Sequence, residues 1–426
     1  MTTDVLVIGG GIAGLSAAAT ARDCGLDALV LEEEVSPGGL LRSFEVDGFR
    51  FDNGVHLSFA SEPEVRAVFD QTPWIDHEAT SFCRDNGIWL RHPVQNNLYP
   101  LSTEEKIALI DGLVHEPRQE IDNYREWLVQ QYGTPIAERW PIAYTKKYWT
   151  VQAEQLGTDW IGQRMRRSDL KEVLRGALSE RAPNTYYINR MRYPKKGGYG
   201  SFISPLIKKV NVECGKKIVK VDYKNKTVYS AEGEQWGYRH LVSTLPLPEL
   251  ILMMSDVPDV VGAASETLFA TRVDLISIAF NAKISTPSLW FYIYDLDVYA
   301  ARVYSPSWKS TENAPLGCSS LQFEIYSSSR SPLIRSVNQL IENCLDAMEN
   351  FGIASRKDVR FTHHKHLPYA NVVFDLGMEK RRDLVRNWVE SKGISLAGRF
   401  GEWAYLWSNQ SFMSGRQAIL NIVSRG

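Results

Sequence analysis

The sequence predicts an α/β fold in three regions: a discontinuous Rossmann-like domain, a helical insertion, and a mostly antiparallel β-sheet substrate domain. Three observations carry this reading. The chain starts with an apolar run, "DVLVIGGG", that leads through glycines into an Ala-rich stretch. A long middle segment is rich in Glu, Lys, Leu and Trp at helical spacing. Later segments break into short β-like runs. At 426 residues the chain is too long for one simple core, so two or three structural regions are expected.

Asp4 to Ile8 reads as a short buried strand, followed after Gly14 by a helix to about Cys24. "DALVLEEE" (Asp27 to Glu34) reads as a second buried strand ending in acid. Such a β-α-β unit implies a parallel sheet. Residues 102–178 read as helical, as in "TEEKIALIDGL" and "DLKEVLRGAL". From Asn211 to Thr244 short strands recur, among them "KIVKVDY" and "KTVYSAE". From Thr271 to Phe374 strands dominate, with one helix near Val337 to Phe351. The tail from Gly398 to about Val423 should be a loop and then a helix. No repeat or low-complexity segment separates independent domains.

Composition narrows the partners. Hydrophobic residues are 44% and charged residues 23%, which is ordinary for a globular chain, and a net charge of −2 favours neither nucleic acid nor an anionic membrane. No window reaches ~18 uninterrupted apolar residues, and the N-terminus fits a signal peptide poorly. Five scattered cysteines without a CxxC spacing point to reduced thiols in a cytoplasmic setting. "THHKH" (Thr362 to His366) would put His364 and His366 on one strand face, but no local acid or Cys joins them, so no metal is expected.

Gly9-x-Gly11-x-x-Gly14 sits between a strand and a helix, where a dinucleotide fingerprint requires it. Gly9 permits the tight turn, Gly11 lets a pyrophosphate approach the backbone, and Gly14 allows close helix–strand packing. The helix N-terminus then offers N–H groups to phosphate. Glu32, about twenty residues on, is placed to accept hydrogen bonds from a ribose. Gly38-Gly39 follow directly, with Arg42 and Ser43 next, and extend the phosphate channel beyond what an NAD-only domain needs. Val219, in "KIVKVDY", is assigned to the same cofactor site.

The segment from Glu32 to His56 resembles the flavin amine oxidase superfamily, and the resemblance implies FAD, bound without a covalent link. A flavin is longer than one β-α-β unit, so the chain must return to its ring end. "RYPKKGGYGSF" (Arg192 to Phe202) and the C-terminal stretch are the candidate returns. Gly398 and Gly401 would let backbone approach a planar ring, and N–H groups near Asn409, Gln410, Ser411 and Phe412 would start a helix facing it.

A closer resemblance rests on particular residues. "GRFGEWAYLWSNQSFMSG" is similar to the C-terminal flavin loop of UDP-galactopyranose mutases. "HPVQNNLYPLSTEEK" matches that family's Pro-x-Gln-Asn-Asn stretch, and Tyr132 to Met165 its helical substrate region. "YAARVYSPS" matches the strand carrying a phosphate-binding arginine, and His56 the histidine beside the flavin. The resemblance implies an FAD-dependent isomerase that interconverts pyranose and furanose forms of a nucleotide sugar, with reduced-flavin N5 as nucleophile. It implies that Arg164 and Arg302 clamp the diphosphate. Tyr405, Tyr369 and, more loosely, Tyr304 would donate phenolic hydrogen bonds near it. Gln95 and Asn97 would read base or ribose. Tyr144 and Trp149 fall in the substrate region, where Trp149 would cap the sugar or flank the flavin. Arg399 would touch sugar or flavin. For the tyrosines, Trp149 and Asn97 a core or turn role stays open, and for Arg164 and Arg302 a surface ion pair. Two positions depart from the pattern: Thr145 stands where the family has an Asn, and Ser411-Phe412 follow Gln410 without an inserted acid and His.

The domains expected are 1–80, 186–255 and 376–426 for the FAD-binding domain, 81–101 for a crossover, 102–185 for the helical insertion and 256–375 for the sheet. The expected partner is a small-molecule nucleotide sugar, with no nucleic acid and no membrane insertion. NAD(P)H as reductant and a homo-oligomer are open cases. The alternative reading is a redox flavoenzyme of the amine oxidase or protoporphyrinogen oxidase kind, and beyond that an FAD-binding protein without catalysis.

Overall fold

The computed structural model describes residues 2–117, 119–162, 165, 169–180 and 188–425. Thr2–Ile8 forms the first strand, and the helix Ile12–Asp23 follows at once, buried from Ile12 through Ala21. A helix apolar on every face belongs inside, and its small alanines let neighbours approach from both sides. Ala28–Leu31 returns parallel to the first strand, with Val5 opposite Ala28. This strand is shorter than the expected Asp27 to Glu34. The three acids leave the sheet, because Glu32 accepts the Gly10 and Glu34 backbone N–H groups at 2.6 and 2.9 Å.

The parallel layer collects strands from distant parts of the chain. Gln235–Ser243 lies beside Thr2–Ile8, Asn211–Glu213 beside Ala28–Leu31, and Ile394–Leu396 beside Gln235–Ser243. The Rossmann-like layer is therefore discontinuous. A hairpin of Ile218–Asp222 and Thr227–Ser230 extends its edge antiparallel.

The second sheet has seven strands, in the spatial order Val359–Leu367, Arg272–Phe280, Ser319–Ser327, Arg302–Tyr304, Trp290–Ile293, Phe82–Asp85 and Ile88–Arg91. Every neighbouring pair is antiparallel except Trp290–Ile293 with Phe82–Asp85. The helix Val337–Asn350 buries Leu340, Cys344, Leu345 and Met348 against Ile276 and Ile278 of this sheet. Its start is fixed by Ser336 and Gln339, which cap each other's backbone N–H groups.

The helical insertion comprises Thr103–His115, Tyr124–Tyr132, Ala143–Tyr148 and Leu170–Leu178. Ser102, Asn123 and Asp169 cap three of them. Glu138–Ile142 widens into a π turn at Pro141, whose ring nitrogen has no proton to donate. Two tethers tie this insertion to the second sheet. Arg139 and Trp140 both donate to Asp85, at 2.9 and 3.0 Å. Lys147 donates to the Ile293 and Asp295 carbonyls at 2.8 and 3.0 Å, and burial pushes its ammonium down to about 7.

The C-terminal helix Ser408–Val423 packs on the first helix. Ser16 donates to the Phe412 carbonyl at 2.8 Å. All five cysteines are free thiols. Among the described residues no helix is long and apolar enough to cross a membrane.

Candidate active site

One cavity of about 1210 Å³ is lined by the glycine turn, the Gly54–His56 segment, the helical insertion, the second sheet and the C-terminal loop. Its first end is a cradle. Gly9, Gly11, Gly38, Gly39, Glu32, Arg42 and Val219 all line it. A Cβ on Gly11 would meet nothing within 4 Å, so the backbone there faces open space of the kind a pyrophosphate occupies. Gly14 does not line the cavity: a Cβ there would sit 2.0 Å from the Gly9 carbonyl oxygen, which makes it a packing glycine. Both Glu32 oxygens already accept a backbone N–H, and each keeps a further lone pair for a ribose hydroxyl. The residues present therefore fit the adenosine and phosphate portion of a dinucleotide.

The middle of the cavity is bounded by His56, Tyr199, Gly398, Arg399, Trp407, Ser408 and Ser411. His56 Nε2 lies 3.1 Å from the Leu40 carbonyl oxygen, and its ring stacks on Tyr199 with centroids 5.1 Å apart. A carbonyl can only accept, so Nε2 carries the proton and Nδ1 is left as an acceptor. Arg399 spends two donors on the Leu406 and Ala370 carbonyls, at 2.9 and 3.0 Å. The first turn of the C-terminal helix borders the cavity through Ser408 and Ser411.

At the far end Arg302 meets a wall of aromatics. Its Nε donates to Glu324 at 2.7 Å and its Nη2 to Tyr326 at 3.2 Å. Glu324 is 1% exposed, and its other oxygen accepts the Val55 N–H at 2.7 Å. One carboxylate thus joins the arginine to the His56 segment. Among the described residues Arg302 Nη1 has no hydrogen-bond partner. Tyr148 and Tyr326 pack 4.8 Å apart beside it. Trp149, Trp160 and Tyr405 form a second cluster, with Trp149 4.9 Å from Trp160 and 5.4 Å from Tyr405. Among the described residues the buried Tyr144 hydroxyl has no hydrogen-bond partner, while Thr145 donates to the Pro141 carbonyl at 2.7 Å.

The expected site residues divide. His56, Arg302, Arg399, Tyr405, Tyr144, Trp149 and Tyr369 come together on this cavity, as do the cradle residues. Burial and the Glu249 carboxylate push the Tyr369 phenol up. Arg164 lies outside the described residues; Trp160 and Met165, which flank it in sequence, line the cavity. Other residues do not reach it. Tyr304 is fully buried and donates to Gln322. Asn97 folds back on the Pro93 carbonyl at 2.9 Å as a turn residue, and Gln95 is not among the lining side chains. Asn409 donates to Glu62 at 2.7 Å, Gln410 accepts the Trp407 N–H at 2.9 Å to cap the helix, and Phe412 packs in the core. Of Asn409 to Phe412, only Ser411 lines the cavity.

Several lining residues carried no signal of their own: His92, Tyr292, Tyr294 and Asn371. Glu324 had a trace, as a charge at an inward position of the apolar strand "LQFEIYS". At His364 and His366 the missing acid comes from the neighbouring strand: both imidazoles reach Asp274 Oδ1, at 2.7 and 3.0 Å. Even so, among the described residues no group of three or more His, Cys, Asp or Glu side chains is arranged to hold a metal ion.

Burial pushes His56 and His92 each from the ordinary 6.5 down to about 4. Both stay neutral in the folded protein where the unfolded chain would protonate. Stability is therefore full above pH 6.5 and falls as pH drops toward 4. By pH 5 the expected loss is roughly 2 kcal/mol for each imidazole. Urea midpoints at pH 7 and pH 5 measure it, and His92→Gln should flatten the slope.

A protein-family model for an NAD(P)-binding Rossmann-like domain matches residues 7–72. An all-trans-retinol 13,14-reductase of Homo sapiens is 36% identical over 142 residues, 32% of this chain and 23% of that protein. Matches to the curated relatives are partial, spanning 10% and 23% of the lengths of the first two. The crystal structure of a reduced UDP-galactopyranose mutase superposes over 100% of this chain and 96% of that one, with a TM-score of 0.93 and 24% identity. A putative protoporphyrinogen oxidase from Exiguobacterium sp. 255-15 superposes over 100% of both chains, with a TM-score of 0.75 and 17% identity. The chain thus has the fold of these two crystal structures.

Proposed function

We propose that this protein, which has the fold of UDP-galactopyranose mutase, is an FAD-dependent isomerase that interconverts the pyranose and furanose forms of a nucleotide sugar. The observation that carries the reading is the continuity of one cavity. A dinucleotide cradle at one end opens, past His56 and the C-terminal loop, onto an arginine among aromatic rings.

When bound and reduced, FAD would supply a nucleophilic nitrogen toward the anomeric carbon, with no net redox change. Gly11, Gly38 and Gly39 would leave room for its pyrophosphate, and Glu32 would hold the ribose. The chain's own task is to keep the departing nucleoside diphosphate in place while the sugar rearranges. Arg302 would offer its Nη1 to a phosphate oxygen and is oriented for it by Glu324. Arg164 is the proposed second cation of the clamp. The Trp149, Trp160 and Tyr405 cluster supplies the apolar faces on which a sugar ring packs and from which water is excluded. A reducing, cytoplasmic compartment suits the five free thiols.

The test is product analysis. The reduced protein, incubated with a panel of NDP-hexoses and NDP-pentoses, should form furanose product without consuming reductant in proportion. Oxidised protein should be silent. A second reading, an oxidoreductase of the protoporphyrinogen or amine oxidase kind, draws on the partial likeness to the retinol reductase and on the aromatic lining of the cavity. Peroxide formation or dye reduction with an apolar substrate, and no furanose product, would establish that reading instead.

A further inference from the structure

Asn371 is a neutral polar side chain on the cavity wall with half of its amide unspent. It follows the strand Val359–Leu367 and lines the cavity, although it is only 5% exposed. Its backbone is fixed by one partner. The Asn371 N–H donates to Thr271 Oγ1 at 3.1 Å, and its carbonyl accepts the Thr271 N–H at 2.7 Å. The side chain is held at one arm only, where Tyr148 Oη donates to Asn371 Oδ1 at 3.4 Å. Among the described residues the amide nitrogen has no hydrogen-bond partner. An amide turned the other way would leave its oxygen open instead, because a phenol also accepts. In either orientation one arm is left for the cavity. A buried polar group of this kind is costly unless something pairs with it.

The neighbours of Asn371 indicate the partner. The ring centre of Tyr148 lies 5.8 Å from the Arg302 guanidinium carbon, so the amide is one phenol away from the proposed diphosphate cation. Tyr148 also meets Trp149 edge-on, with ring centres 5.2 Å apart, and Trp149 belongs to the cluster on which a sugar would pack. The residue before Asn371 is tied to the middle of the cavity, because the Ala370 carbonyl accepts from Arg399 Nη1 at 3.0 Å. A phosphate oxygen is an anion and calls for a cation. A neutral amide matches a hydroxyl, which both donates and accepts. An apolar substrate would bury the open arm unpaired. We propose that Asn371 is a specificity-determining residue: its open amide arm binds one hydroxyl of the sugar and discriminates against ligands that lack it. A site that hydrogen-bonds a hydroxyl rejects the analogue without it, since its own polar group is then left unpaired. The inference deepens the nucleotide-sugar reading and rests on it.

The test is calorimetric binding to the oxidised holoprotein, which should not turn over. UDP and UDP-galactose are titrated into the wild type and into Asn371→Ala. The readout is the ratio of the two dissociation constants, which isolates what the sugar adds. That ratio should exceed one in the wild type and fall by about fivefold in the variant, the weight of one neutral hydrogen bond. Should Asn371→Ala fail to fold, Asn371→Leu makes the same comparison at a similar volume. UDP-galactoses lacking the 2-, 3-, 4- or 6-hydroxyl then identify the contact. One of them should bind the wild type about fivefold more weakly than UDP-galactose does, and should lose nothing further in the variant, because both changes remove the same hydrogen bond. A folded variant that keeps the wild-type ratio overturns the proposal. So does a deoxy series in which every loss adds to that of the variant. A wild type that gains nothing from the sugar counts against the nucleotide-sugar reading itself, and the role of Asn371 falls with it. The wild-type arm therefore tells the two failures apart.

Discussion

Gly415→Ala is expected to be less stable by about 3 kcal/mol and, on the proposed reading, to retain little FAD. The reason is a backbone crossing. A Cβ on Gly415 would lie 2.0 Å from the Ala13 carbonyl oxygen and 2.8 Å from its carbon. These are main-chain atoms of the first helix, so no side-chain rotation relieves the clash. The C-terminal helix would have to move outward and carry Ser408 and Ser411 away from the cavity. The first helix is also the arm of the glycine turn, and a shift there disturbs the phosphate cradle. The ratio of flavin absorbance to protein absorbance, with a urea melt, reads both effects. Gly262→Ala is the control, because a Cβ at that helical position meets nothing within 4 Å. Full flavin content and an unchanged melt for Gly415→Ala would remove the crossing from the account.

That crossing explains what was legible at the C-terminus. A run of glycines and aromatics in a tail signals close packing, and the packing partner is the fingerprint helix at the opposite end of the chain. The fold could be read because its signals are local: an apolar strand meeting glycines, helical spacing in the middle, short β runs later. The strand that was overextended, Asp27 to Glu34, failed for a local reason too, since Glu32 turns back to bind the Gly10 N–H.

The site was legible only where a residue's chemistry admits one use. Arg302 reaches the cavity. Tyr304, two positions on, points to the same face of its strand by periodicity, yet its hydroxyl is taken by Gln322. A tyrosine serves a core as well as a pocket, and sequence alone does not separate the two. Gln410 illustrates the same ambiguity, because a Gln near a helix start is equally fit to cap it. The pairings Arg302–Glu324 and Lys309–Asp52 were hidden for a different reason. The second joins residues 257 positions apart, and the first follows from strand register, which turns and packing decide.

Arg302→Ala should weaken nucleotide binding by about 2 kcal/mol or more, roughly thirtyfold, and should also lower stability. The two losses have different origins. The binding loss comes from the missing donor to phosphate. The stability loss comes from Glu324, whose carboxylate would stay buried beside the Val55 N–H with no counter-charge. Adding Glu324→Gln should recover most of the stability, because a neutral amide tolerates burial. It should not recover binding, since no cation returns. Isothermal titration with a nucleoside diphosphate and a thermal melt on both variants separate the effects. If the double variant binds nucleotide as tightly as the wild type, Arg302 serves to hold the sheet to the His56 segment. The clamp would then have to be built from other cations. If binding stays weak while stability returns, the arginine acts on the ligand itself, and Glu324 is the group that aims it.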